Sequence, residues 1–199
     1  MDKKEKEQQK ILRNTLLFIG VVFAGFVLFF AVTSYLNHFE YNGVKFEISK
    51  NEVKGQTLYK TSIPVMYDGE ERDYLFYLRE DPRELEIKVP LNDDIVFRKN
   101  LLLDVTTENL FCEGDWNYFQ LQLKNIEIFD IKLFAKNKSL NYTPERDYMF
   151  LTINEANKTE VNNVGGNAYD ANVSNCEIAS VADRVLLEAI IKNNQFYNN

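Results

Sequence analysis

The chain has 199 residues, 45% hydrophobic and 27% charged, with a formal net charge of −7, which fits one ordinary domain plus an appendage. Residues 1–13 carry a net charge of +2, which leaves −9 for the region from 37 onward. Phosphate backbones are bound by clustered Lys and Arg, so this acidic balance disfavours nucleic acid as a partner. The sole histidine, His38, stands at the very start of that region, at the membrane edge, which excludes Ser-His-Asp and Cys-His chemistry in the body of the domain.

Residues 1–13 form a short basic tail, and 14–36 read as a transmembrane helix. No Asp, Glu, Lys or Arg occurs between Arg13 and Glu40, and LLFIGVVFAGFVLFFAV from Leu16 to Val32 lacks strongly polar side chains. A helix rising ~1.5 Å per residue needs roughly 20 residues to cross a ~30 Å hydrocarbon core. The 21 residues from Leu16 to Leu36 suffice. Lys3, Lys4, Lys6, Lys10 and Arg13 precede the span and the first Lys after it is Lys45, so the positive-inside bias predicts a cytoplasmic N-terminus. Tyr35, His38, Phe39 and Tyr41 suit the far interface. The rival is a cleaved secretory signal, but the apolar run exceeds the usual ~7 to 15 residues and Val32 with Ser34 makes a weak cleavage site. Gly20 and Ala24 form a small-xxx-small pair compatible with helix pairing, although nothing else supports a homo-oligomer.

The region 37–199 is predicted to be extracytoplasmic and rich in strands. Tyr41 to Ile48 alternates, and Thr57 to Tyr67 and Asp73 to Arg79 flank Asp68-Gly69, a hairpin turn signal. Asp81-Pro82 breaks the chain after the hairpin. Further candidate strands are Asp94 to Phe97, Leu101 to Val105, Tyr118 to Leu123, Ile126 to Phe134 and Tyr148 to Ile153. Asn162 to Asn175 reads as a Gly- and Asn-rich loop. From about 180 to 193, Ser180 and Asp183 resemble a capping box, and Val185, Leu186, Ala189 and Ile190 share one side of an amphipathic helix. The expected fold class is α+β: the transmembrane helix, then a mainly antiparallel sheet or sandwich closed by one C-terminal amphipathic helix.

Cys112 and Cys176 are the chain's two cysteines. In an oxidising compartment they read as one disulfide, closing a loop of about 65 residues that the loop-entropy model values at roughly 4 kcal/mol. Metal ligation would require partner ligands at C-x-x-C or His-rich spacing, which the sequence lacks. Trp116 and Tyr118 form a local aromatic cluster that is either core packing or a contact for a ligand or partner. Sequons at Asn137, Asn141, Asn157 and Asn172 are candidate glycosylation sites, the second weakened by Pro144 directly after its Thr143. The carboxylates of Glu70, Glu71, Asp73, Asp93 and Asp94 read as turn and surface acids. The Asp-Gly-Glu-Glu run after Tyr67 lacks the ligand spacing of an EF-hand loop, and no catalytic residue, metal or cofactor is assigned.

The segments FEYNGVKFE, LYKTSIPVMYDG, YLFYLREDPREL and NCEIASVADRVLLEAI together resemble a group of single-pass membrane proteins from small-genome (DPANN-type) archaea. That resemblance implies an archaeal envelope setting, where N-glycosylation is feasible, and implies no activity, cofactor or catalytic residue. The expectation is a non-enzymatic, membrane-anchored domain with an envelope-structural or protein-interaction role, its partners the bilayer and a membrane-complex or envelope protein. The alternative is a glycan-binding or glycan-processing accessory using carboxylates and aromatics near Trp116.

Overall fold

A computed structural model describes residues 3–53, 55–67, 69–106, 115–136 and 147–198. The chain divides into two units, 1–39 and 40–199. The first is one continuous helix, α1 (Lys3–Asn37). Within its segment Gln9–Asn37 an 18-residue window reaches a mean hydropathy of 2.7, and none of that window is buried. Side chains such as Phe23, 69% exposed, project from it without protein cover. By length and composition this helix can span a membrane. Thr33, a polar side chain at the end of the apolar run, bonds within the helix, as hydrocarbon demands: its hydroxyl donates to the Phe29 and Phe30 carbonyls at 2.9 and 3.0 Å. His38 Nδ1 lies 2.7 Å from the Ser34 carbonyl.

The second unit is α+β, as the composition of its segments predicts. Strands β1 (His38–Tyr41), β2 (Val44–Val53), β3 (Gln56–Tyr67) and β4 (Glu70–Leu78) form a sheet in that order. The β2–β3 and β3–β4 pairs are antiparallel. Asn42 and Gly43 both have positive φ, 50° and 79°, the conformation of a type I′ hairpin turn. They divide the predicted Tyr41 to Ile48 strand in two. The Asp68-Gly69 signal is met by the β3–β4 hairpin, in register from Tyr59↔Leu78 to Tyr67↔Glu70, with Gly69 at φ 80°.

Helix α2 (Pro82–Lys88) begins at the Asp81-Pro82 chain break. Asp81 caps it by accepting from the Arg83 N–H, and Pro82 fills the first turn, where its missing donor costs nothing. Residues Asp94 to Phe97, a candidate strand, carry no strand structure. Strand β5 (Asn100–Val105) follows, then helix α3 (Asp115–Asn125) and a 3-10 turn, Ile126–Phe129. The predicted strand Tyr118 to Leu123 is therefore helical. Phe119, Leu123 and Ile126 are fully enclosed at helical spacing, and that burial overrides the local alternation.

Strands β6 (Lys132–Ala135), β7 (Tyr148–Glu155), β8 (Glu160–Gly165) and β9 (Ala168–Val173) complete a second sheet of order β6-β5-β7-β9-β8. It is mixed rather than antiparallel: β5 pairs in parallel with β6 and β7, β7 with β9, and only β8–β9 is antiparallel. Leu101 and Leu102, neighbours on β5, are both buried, as expected of a strand covered on both faces. The predicted loop Asn162 to Asn175 is largely the β8–β9 hairpin.

Helix α4 (Ile178–Asn198) departs most from expectation. It packs against β2, β3, β9, α2, α3 and the 3-10 turn. Val181, Ala182, Val185, Leu186, Leu187, Ala189, Ile190 and Ile191 are all buried. Apolar residues thus cover its whole circumference, the pattern of an enclosed helix rather than an amphipathic one.

Candidate functional site

An enclosed helix has no exposed side for polar groups, so each charge on α4 must find an internal partner. Asp183 is fully buried. Its carboxylate accepts from the Tyr118 hydroxyl at 2.6 Å, Gln122 Nε2 at 2.7 Å, and the backbone N–H groups of Arg79 at 2.8 Å and Glu80 at 3.0 Å. Burial pushes this carboxyl up to about 6, while the bonds from Tyr118, Glu80, Gln122 and Arg79 pull it back. Burial and the Asp183 charge raise the Tyr118 phenol, which keeps its proton as the donor. The Arg79 guanidinium lies over the Tyr118 ring, 3.7 Å from its centroid, and pairs with Asp115 at 3.2 Å. The node joins the end of β4, α3 and α4.

One turn away, a cleft of about 410 Å³ is lined by Gln56, Thr57, Arg79, Glu80, Asp115 and Ser180, among others. Its charges are matched: Glu80 pairs with Lys88 at 2.6 Å and accepts from the Ser180 hydroxyl at 3.0 Å. Ser180 and Asp183 do not form the predicted capping box. Helix α4 starts at Ile178, and both side chains reach to the β4–α2 connection.

A second cleft, of about 500 Å³, lies where α2 and the segment after it meet α4. Glu86, Asp93, Asp94 and Glu188 line it together with Arg184 and Lys192. Arg184, only 4% exposed, donates from Nε to the Val89 carbonyl at 3.2 Å. Its Nη1 is 2.8 Å from Glu188 Oε1 yet lacks hydrogen-bond alignment with it, so this contact is an ion pair without a directed bond. Burial raises the Glu188 carboxyl; Arg184 and Lys192 lower it, and Asp94 and Glu86 raise it further. Glu86 also accepts from the Tyr41 hydroxyl at 2.7 Å, and burial together with that carboxylate pushes the phenol up to about 12. A third opening, about 520 Å³, lies beyond the N-terminal ends of β5, β6 and β7, with Phe97, Arg98, Phe129 and Lys192 in its wall. Among the described residues no group of three or more His, Cys, Asp or Glu side chains is placed to hold a metal ion.

The residues singled out from sequence are dispersed. Trp116 stacks on Phe119 at 5.2 Å, while Tyr118 is committed to the Asp183 node. Asp115, the carboxylate next to Trp116, pairs with Arg79. Asn157 is exposed, whereas Asn172 lies half-buried in β9. Cys176 occupies a turn before α4 at φ 64°, and among the described residues there is no free cysteine. Cys112, Asn137 and Asn141 lie outside the described residues.

Sequence reasoning missed Arg79, Gln122, Arg184 and Glu188. A signal for the last two existed. In VADRVLLEAII the charges at 184 and 188 stand i,i+4 within a run that is apolar on every side, which points to a buried pair. Comparison with protein families, curated proteins and solved structures finds nothing that matches this chain.

Proposed function

We propose that the chain is a single-pass membrane protein with a cytoplasmic N-terminus, whose extracytoplasmic α+β domain is a non-enzymatic interaction module of the envelope. The observation that carries this reading is α1, a long apolar helix without protein cover and continuous with a folded domain. The five basic residues before the apolar run support the orientation. The resemblance to single-pass proteins of small-genome archaea agrees with it. In this reading Cys176 pairs with Cys112, the chain's other cysteine, as the oxidising side of the membrane favours. The domain meets a protein partner through exposed apolar side chains such as Ile87, 83% exposed, and Phe196, 80% exposed, since binding anchors are commonly large apolar groups ringed by polar ones.

The test is protease treatment of intact cells combined with crosslinking in native membranes. Digestion past residue 40, with one partner recovered and then lost in Ile87→Ser or Phe196→Ser, is the expected result. A protected domain or only random neighbours would sink it.

A second reading has one observation in its favour: the second cleft gathers four carboxylates, with Glu188 held above the usual range. Such a recess suits a polyhydroxylated ligand, bound through acidic hydrogen-bond acceptors. Glycan binding by the full chain in lipid nanodiscs, abolished by Asp94→Ala, supports it. Absence of binding across a glycan array removes it.

A further inference from the structure

The β7–β8 connection carries the sequon Asn157-Lys158-Thr159, and its geometry separates it from the sequon at Asn172. Asn157 is exposed in the bend between the two strands, where a sugar chain would stand in solvent. The other half of the acceptor motif is enclosed. Thr159 is 4% exposed; its hydroxyl donates to the Glu177 carboxylate and accepts from the Ser174 N–H at 3.0 Å. A hydroxyl so committed is unavailable to an enzyme that must read it beside the asparagine amide.

Asn172 sits one residue from the end of β9, paired on both sides, opposite Asn154 on β7 and Glu160 on β8. Its Nδ2 lies 3.5 Å from Glu160 Oε1. Side chains directly opposite on a sheet stand about 5 Å apart, so a sugar on Asn172 would have to displace neighbours on both sides.

We infer that Asn157 is an N-glycosylation site, modified before the β7–β8 bend docks on the turn ahead of α4, and that the folded chain carries Asn172 bare, because a sugar there would block the pairing of β9 with β7 and β8. The inference rests on the extracytoplasmic placement proposed above. The donor is an oligosaccharide esterified through its anomeric carbon to a polyprenyl phosphate, presented by a membrane transferase. Asn157 Nδ2 forms a bond to that carbon. The anomeric C–O bond breaks, the lipid phosphate leaves with the electron pair, and Nδ2 gives up one proton to a base on the transferase. Thr159 then closes onto Glu177 and Ser174, leaving the sugar outside.

The experiment is translation of the full chain into glycosylation-competent microsomes, with an added sequon after Asn199 as a reporter of which side the C-terminus reaches. Sites are read by mass spectrometry of individual peptides, so sugars on Asn137 or Asn141 do not confuse the result. A glycopeptide containing Asn157, a bare Asn172 peptide, and loss of one glycan's mobility shift in Asn157→Gln are expected. Asn157 is exposed, so that substitution leaves the fold's contacts intact. A modified reporter with bare Asn157, or with sugar on Asn172 in the protease-resistant folded fraction, overturns the inference while leaving the topology standing. A bare reporter together with bare sequons overturns both.

Discussion

The Asp183 carboxylate shows how much of this domain is held by single polar contacts. It receives two backbone N–H groups, an amide and a phenol, and the carboxylate that gathers them is itself fully buried. Leaving a buried donor unpaired costs about 1–3 kcal/mol. Asp183→Ala is therefore expected to destabilise the domain by more than ~3 kcal/mol, as read by urea unfolding in detergent through the lone Trp116. The carboxyl titrates near 6 in the folded chain against 3.8 ordinarily, so between those values the native state holds the extra proton. Stability from this group is greatest below about pH 4 and falls as pH rises toward 6, by on the order of 3 kcal/mol. Unfolding of Asp183→Asn, which lacks the titration, should show the wild-type advantage shrinking across that window. A gap that widens with pH would contradict the assignment.

The Arg184–Glu188 pair yields a sharper contrast. Removing one member strands a buried charge, so Glu188→Leu is expected to cost about 3–5 kcal/mol, while Arg184→Met with Glu188→Leu together should recover most of it. Equal losses in the single and double variants would count against the pairing. Of these residues, Tyr118 and Asp183 stood out in the sequence only as an aromatic cluster and a helix cap, and the i,i+4 spacing of 184 and 188 was a signal for a buried pair. The partners of Asp183 come from positions 79, 80, 118 and 122, whose convergence no local pattern encodes.

At the scale of elements, α4 was legible as a helix but not in its surroundings. Val185, Leu186, Ala189 and Ile190 gave one apolar face. Val181, Leu187 and Ile191 lie on the others, and their burial is what turns a surface helix into a central one. Leu186→Ala is accordingly expected to cost about 2–5 kcal/mol through lost burial and the cavity left behind. Leu121→Ala, on the exposed side of α3 at 58% exposure, should cost under ~0.5 kcal/mol. Similar losses at both positions in the same unfolding assay would contradict the enclosed position of α4. Helices α2 and α3 were misread although their signals were present. Asp81-Pro82 has the N-cap and first-turn residues of a helix start, and Phe119, Leu123 and Ile126 recur at helical spacing. In α3 the alternating YFQLQL competed with that spacing, and packing against α4 decided the outcome.

At the scale of the whole molecule, the apolar helix was readable from composition alone, because solvation by lipid depends on what the side chains are and not on what they meet. The two-sheet arrangement was not readable. Leu101 pairs with Leu133 on one side and Met149 on the other, and such distant parallel pairings are chosen by tertiary packing rather than by local alternation. The helix therefore supports the most discriminating test of the architecture. Phe26 lies in the middle of the apolar run, exposed on α1. In water an arginine there would improve solvation of an uncovered helix. In a bilayer it opposes insertion by about 3 kcal/mol at the helix centre. The wild-type chain is expected to stay with membranes through alkaline carbonate extraction, and Phe26→Arg should release a measurable fraction into the supernatant. Extraction of the wild type, or a variant that is retained as well as the parent, would show that α1 is solvated by something other than lipid.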